Sequence, residues 1–287
     1  MAKLLTDVLS NAEREFSYDR ADFEAVRRML YKLTGIRLAD SKDSMVYSRL
    51  ARRIRTLKLA SFQSYLDFLH AHSEETEHFI NALTTNLTSF FREAHHFEIL
   101  ASYLQQHPHA QTIWCAASST GEEPYSIAMV VAEVFGGFET PITIIASDID
   151  SQVLQKAKSG IYTADRIQEL SRERCQQFFF RGKGSKQGMV KVVPELQRMV
   201  QFRQLNLLAP SWDVAGPIDV IFCRNVMIYF DKKTQLKILE RMVHLLSPQG
   251  LYFAGHSENF SHAAHLVKAA GQTTYVPVSK REHDGRI

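Results

Sequence analysis

Cysteine is scarce in this chain: three in 287 residues, Cys115, Cys175 and Cys223, far apart and with no Cys-x-x-Cys pair. That excludes a disulfide framework and a thiolate zinc site, and it fits a reducing compartment. Long apolar runs are missing too. No stretch of about 18 consecutive apolar residues occurs, and the opening MAKLLTDVLSNAERE carries acids and no cleavable apolar segment. A soluble, cytoplasmic, non-exported protein without direct membrane insertion is therefore expected. No repeat of about 20 to 50 residues and no low-complexity tract is visible. A strong excess of one charge is absent as well: the net charge of +3 is far from what would by itself announce nucleic acid. The twelve histidines are scattered, and the pairs His95/His96 and His107/His109 lack the carboxylate and third ligand of a metal site. No metal is expected, and exposed positions are expected for these histidines.

What is present is ample apolar material, 45% hydrophobic and 10% aromatic, enough for one large domain or two modest ones. From about Tyr18 to Ala110 the apolar positions recur three and four apart, which predicts an all-helical N-terminal domain over 1–83, followed at 84–110 by a linker and helix. Within it, MVYSRLARRIRTLKL (45–59) places Val46, Leu50, Ile54 and Leu57 on one stripe. Arg49, Arg52, Arg53, Arg55 and Lys58 spread over the opposite side without one acid among them. This predicts one packed face and one block of positive charge.

Beyond residue 110 strands alternate with helices: QTIWCA, ITIIAS, MVQFRQL, IDVIFC and LYFAGH are short and apolar on both faces. Alternation predicts an α/β, doubly wound parallel sheet over 111–287, with TTYVPVSK as a late antiparallel strand. Ser151 is the expected cap of DSQVLQKAKSG, and Pro248 with Gly250 the expected close of the helix DKKTQLKILERMVHLLSPQG. Residues 160–198 are too long for a connection. They predict an inserted antiparallel β subdomain, with FFFRGKGSKQGMVKVV as its hairpin.

In such folds ligands bind beyond the carboxyl ends of the strands. There the chain offers Gly121, Glu122 and Glu123, then Asp148, then Asn206 and Leu207, then Arg224, Asn225 and Tyr229. The first turn, SSTGEEP, has one glycine where a phosphate loop has three, and two carboxylates where a pyrophosphate would meet repulsion. An acid ending the second strand suits a ribose diol. A ligand with a ribose and positive charge is S-adenosylmethionine; a nicotinamide cofactor, or a capped helix start with no ligand, stays open on these residues alone.

STGEEPYSIA, ASDID, FCRNVMIYF and AGHSEN, preceded by TTNLTSFFRE at 84–93, together resemble the chemotaxis receptor methyltransferases, the CheR family. The resemblance covers nearly the whole chain. It implies a class I S-adenosylmethionine-dependent methyltransferase fold and transfer of the methyl group to glutamates on cytoplasmic helices of methyl-accepting chemotaxis receptors, giving γ-glutamyl methyl esters in sensory adaptation. It implies Asn86, Thr88, Arg92, Glu123, Asp148, Asn206, Leu207, Arg224 and Asn225 as cofactor residues. Arg92 and Tyr229 are the expected catalytic residues, Arg92 gripping either the substrate carboxylate or that of the cofactor. Arg49, Arg53 and Arg55 are expected at the receptor, and Arg181, Gly182 and Gly184 at a C-terminal receptor tether, with recruitment to membrane receptor arrays. Rival functions are methylation of another protein or a small acid, a cofactor sensor without turnover, and nucleic-acid binding by the arginine helix.

Overall fold

The computed structural model describes residues 14–278, so the expectation drawn from the opening residues lies outside the described residues, as do the last two residues of TTYVPVSK. The chain divides into two compact units, Met1–Thr85 and Asn86–Ile287.

The described part of the first unit contains helices and no strand. Helix α1, Arg20–Thr34, starts at a capping box between Asp19 and Asp22 and stops at Gly35, whose φ of 72° few other residues adopt. α2 spans Asp43–Thr56, α3 Phe62–Ala71 and α4 Ser73–Leu83. The apolar stripe predicted for α2 is the buried one: Val46, Leu50 and Ile54 have no exposed surface and pack with Phe23, Leu30, Tyr65 and Phe79. Each such side chain contributes about 1.5–3 kcal/mol on burial.

The second unit is built on a seven-stranded sheet of order β6-β2-β1-β7-β8-β10-β9. Its strands are β1 Thr112–Cys115, β2 Thr143–Asp148, β6 Val200–Gln204, β7 Ile218–Cys223, β8 Leu246–Ala254, β9 Val267–Gly271 and β10 Thr274–Pro277. The first five run parallel, and β10 is antiparallel to both β8 and β9. From β1 the chain winds outward through β2 to β6 and then returns to β7 on the other side of β1. The strand order therefore reverses between β1 and β7, where the crevice of a doubly wound sheet opens. Helix α5, His95–Gln106, precedes β1; α6, Glu122–Phe135, and α7, Ser151–Ser159, flank β2; α10, Lys232–Leu245, joins β7 to β8.

Residues 160–198 hold the inserted sheet, order β3-β5-β4, all antiparallel: β3 Ile161–Thr163, β4 Phe179–Arg181 and β5 Met189–Val192. Helix α8, Arg172–Phe178, leads into β4, and α9, Pro194–Arg198, leads out to β6.

Three local expectations are corrected. α7 is capped by Asp150, not Ser151, because the Asp150 carboxylate accepts the Gln152 and Val153 amides. α10 ends at Leu245, and LSPQG opens β8; the four residues before Leu251 are absorbed by a register shift opposite Ile218 and Val220. β9 was not expected, since VKAAG is poor in β-branched and aromatic residues and lies largely exposed.

Candidate functional site

The site is built where β1, β2 and β7 end. After β1 the chain turns sharply, with Ser119 at φ 48° and Gly121 at φ 98°. Neighbours impose the glycine: a Cβ on Gly121 would sit 2.8 Å from both Ala157 Cβ and Tyr162 Oη. Asp148, the last residue of β2, accepts the Ser119 amide at 2.8 Å and the Asp150 amide at 3.0 Å. Burial pushes its carboxyl up to about 6, against those amide bonds. A carboxylate has about four acceptor positions, so both oxygens retain capacity for a pair of adjacent hydroxyls. Beside it, the Ser118 hydroxyl is buried without a partner. A buried carboxylate with spare acceptor capacity at the end of β2, and an orphan hydroxyl on the turn after β1, fit a ribose-bearing ligand.

The turn is not the anionic cradle expected from its two glutamates. Glu122, with no exposed surface, is met by Arg166 Nη2 at 2.5 Å and by the Thr120 hydroxyl at 2.5 Å. Glu123 Oε2 accepts from Arg224 Nη1 at 2.7 Å, and its other oxygen from Cys115 Sγ at 3.3 Å. Burial first, then Glu123, raise the Cys115 thiol well above its usual range. Both carboxylates are thus paired from within, Arg224 being shared between Glu123 and Glu93, so the turn is an internally paired structure and not a free anionic cradle.

Residues 86–93 lie across these strand ends. They contain no helix, since the helix expected at 84–110 begins only at His95. Asn86 Nδ2 donates to Asp150 at 2.9 Å, and its carbonyl accepts from the Ser119 hydroxyl at 3.1 Å. Further along, the Thr88 carbonyl accepts from Arg166, the Phe91 amide donates to the Ser126 hydroxyl at 2.9 Å, and the Arg92 carbonyl accepts from Arg224. Phe91 and Glu93 both adopt left-handed backbone, at φ 51° and 58°. The half-buried Arg92 guanidinium donates to the Leu87 carbonyl at 2.9 Å.

Beyond β7, Arg224 has a fully buried side chain between Glu123 and Glu93, the latter at 3.2 Å. Its guanidinium is part of the wall of the site, with Nε buried and without a hydrogen-bond partner. Asn225, at φ 58°, donates its amide to Glu258 at 3.1 Å and Nδ2 to Glu93 at 3.3 Å. Glu258 also takes the amides of Met227 at 2.7 Å and Gly255 at 2.5 Å, and burial raises its carboxyl. Tyr229 ends the 3-10 turn Met227–Tyr229, half-buried. After β6, Asn206 forms a turn through its Oδ1 to the Leu208 amide at 2.9 Å, and Leu207 is buried. His96, expected to be exposed, is fully buried; burial first, then Arg224, lower its pKa to about 3, so it stays neutral.

The supporting carboxylates Glu93 and Glu258 stood inside TTNLTSFFRE and AGHSEN, but no spacing distinguished them from surface acids. Arg166 lies in no motif at all.

The α2 basic face is corrected in part. Arg53 makes two bonds, 2.7 and 2.5 Å, to Glu75, which is only 3% exposed. Arg49 donates to the carbonyls of Ala82 and Thr84, and Arg55 pairs with Glu15. In the insertion, Arg181 is exposed and Phe180 is 58% exposed on the edge strand β4. Gly182 has a local cause, for a Cβ there would lie 2.0 Å from the Lys186 carbonyl oxygen. Gly184 faces open space at φ 55°.

The strand order with its antiparallel β10 is that of a class I methyltransferase domain. Residues 86–276 match the family described as CheR methyltransferase, SAM binding domain, and residues 21–84 the CheR methyltransferase, all-alpha domain. The chain is 55% identical over 268 residues to Chemotaxis protein methyltransferase 2 of Pseudomonas aeruginosa, covering 92% of this chain and 95% of that one. It is 49% identical over 272 residues to the Chemotaxis protein methyltransferase of Escherichia coli, covering 94% and 95%. With that of Salmonella typhimurium the identity is 50% over 272 residues, covering 94% of each. The chain belongs to the CheR family. It is an S-adenosylmethionine-dependent methyltransferase of chemotaxis. No helix among the described residues is long and apolar enough to cross a membrane.

Proposed function

We propose that the protein methylates glutamate side chains on the cytoplasmic helices of chemoreceptors, forming γ-glutamyl methyl esters, at membrane receptor arrays. The observation that carries this is the convergence of residues 86–93 with the Asp148 carboxylate over the ends of β1, β2 and β7, in a chain of this family. Bound S-adenosylmethionine supplies a methyl group on a sulfonium, open to in-line displacement. Asp148 holds the ribose diol, Asn206 and Leu207 border the adenine, and Asn86, Thr88 and Arg92 close the site from the overlying segment. Glu123, Arg224 and Asn225 complete it, the first two as a buried pair that fixes the wall.

A glutamate nucleophile is ionised at neutral pH, so no side chain is needed as general base. The work of the protein is alignment. Arg92, now folded on the Leu87 carbonyl at 2.9 Å, exchanges that weak partner for a carboxylate, that of the receptor glutamate or of the cofactor. Tyr229 lines the passage between them. The exposed cations Arg52 and Arg55 of α2, with Lys58 just past its end, face the acidic receptor helix, and Arg181 with the β4 edge takes an extended receptor tail. Incubation with cofactor labelled in the methyl group and receptor membranes tests this directly. Base-labile label on receptor glutamates is expected, and label on nucleic acid or small acids alone would refute it.

A further inference from the structure

We propose that Arg166, contributed by the inserted β subdomain, is a positioning residue for the cofactor, clamping the 86–92 segment onto the turn 118–123. The inference rests on the preceding assignment of Asn86, Thr88 and Asp148 to the cofactor.

Arg166 lies in the 3-10 turn Ala164–Ile167 that directly follows β3. Its Nη2 donates at 2.5 Å to the Thr88 carbonyl and at 2.5 Å to Glu122 Oε1. One nitrogen therefore ties together two stretches of chain that face the same ligand. The remaining Glu122 oxygen holds the Thr120 hydroxyl at 2.5 Å, so the guanidinium also fixes the turn beyond its own reach. β3 adds a second hold: Tyr162 Oη donates to the Thr120 carbonyl at 2.8 Å. The same ring meets Phe90 edge-on at 5.1 Å, and Phe90 meets Phe179 of β4 at 5.5 Å. The insertion thus grips both the turn and the segment above it, and Arg166 makes the charged link.

A purely structural part for Arg166 is to neutralise Glu122, whose carboxylate has no exposed surface and would be left uncompensated without it. The two roles separate in a double variant. Arg166→Met removes both bonds, while Arg166→Met with Glu122→Gln also removes the stranded charge but leaves the Thr88 carbonyl unheld. Positioning predicts that the single variant loses both thermal stability and affinity for S-adenosylhomocysteine. In the double variant the melting temperature recovers, but calorimetric affinity remains weaker by about tenfold. At saturating cofactor its kcat stays within about twofold of wild type while KM for cofactor rises. Recovery of affinity together with stability would overturn the proposal, as would a fall in kcat at unchanged KM. Asn86→Ala serves as the reference. If it weakens affinity while the double variant does not, only Arg166 is misassigned. If it leaves affinity unchanged, the assignment of the 86–92 segment to the cofactor fails, and this inference with it.

Discussion

Arg224 and Glu123 meet at 2.7 Å at the head of the sheet, with side chains 0% and 10% exposed. Arg224 also faces Glu93 at 3.2 Å. Removing the guanidinium strands two carboxylates, so Arg224→Met should lower unfolding stability by about 3–5 kcal/mol in urea titrations. Burial raises the Glu93 carboxyl, but Arg224, the His256 amide and Asn225 outweigh it and hold it below the ordinary 4.5. Its contribution is therefore present above pH 4.5 and lost as pH falls further; Arg224→Met should lose that part of the acid-induced drop in stability.

Asp148 is shifted the other way, from 3.8 up to about 6, by burial. A raised carboxyl favours the protonated folded state, so its contribution to stability falls as pH rises from 3.8 towards 6. A protonated acid is a poorer acceptor for a diol. Affinity for S-adenosylhomocysteine should accordingly weaken as pH drops through about 6. Asp148→Asn should cost about 2 kcal/mol of binding at neutral pH and flatten that profile. Calorimetry over a pH series checks both.

Arg92→Ala should lower turnover by orders of magnitude, and Arg92→Lys should restore only part, because an ammonium lacks the planar two-pronged donor geometry. Steady-state kinetics with receptor decides it. A lysine variant at wild-type rate would remove the bidentate role.

The basic residues between positions 49 and 58 should separate into two kinds. Arg53→Ala leaves Glu75 buried with only Tyr65 Oη as side-chain donor, at 2.9 Å, so a loss of about 3 kcal/mol in stability is expected. Arg52→Glu with Lys58→Glu should leave stability unaltered but raise KM for receptor and weaken the dependence of KM on salt. Cofactor affinity should stay constant throughout.

Recruitment through the insertion is best probed at Arg181. Val at Gly184 would strain the turn at φ 55° whether or not a tail binds, whereas Arg181 is exposed on the β4 edge. Arg181→Glu should weaken binding to receptors that carry an extended C-terminal tail, measured by pull-down or calorimetry. Activity on tail-less receptor fragments should be unaffected, since tethering raises local concentration and not the rate of the chemical step.

Much of this protein follows from local pattern. Strands such as TIWC and IDVIFC are apolar on both faces wherever they are placed, so their type and the parallel sheet were legible without coordinates. The Val46–Leu50–Ile54 stripe was legible for the same reason, because helical period fixes which residues share a face. The order of residues at the strand ends followed from the winding rule, which put Asp148 and Asn225 near one crevice.

Partnership was another matter. The stretch 45–59 has no acid, yet Glu75 and Glu15 come from elsewhere in the chain to engage Arg53 and Arg55. Glu122 and Glu123 read as an unpaired anionic turn until Arg166 and Arg224, more than forty residues further along the chain, pair with them. Charge in a sequence is a property of single residues, whereas the field at a site is a sum over neighbours that only the folded chain assembles. For that reason the residue types of the site were determined locally. Which of them hold one another in place was decided by the tertiary structure.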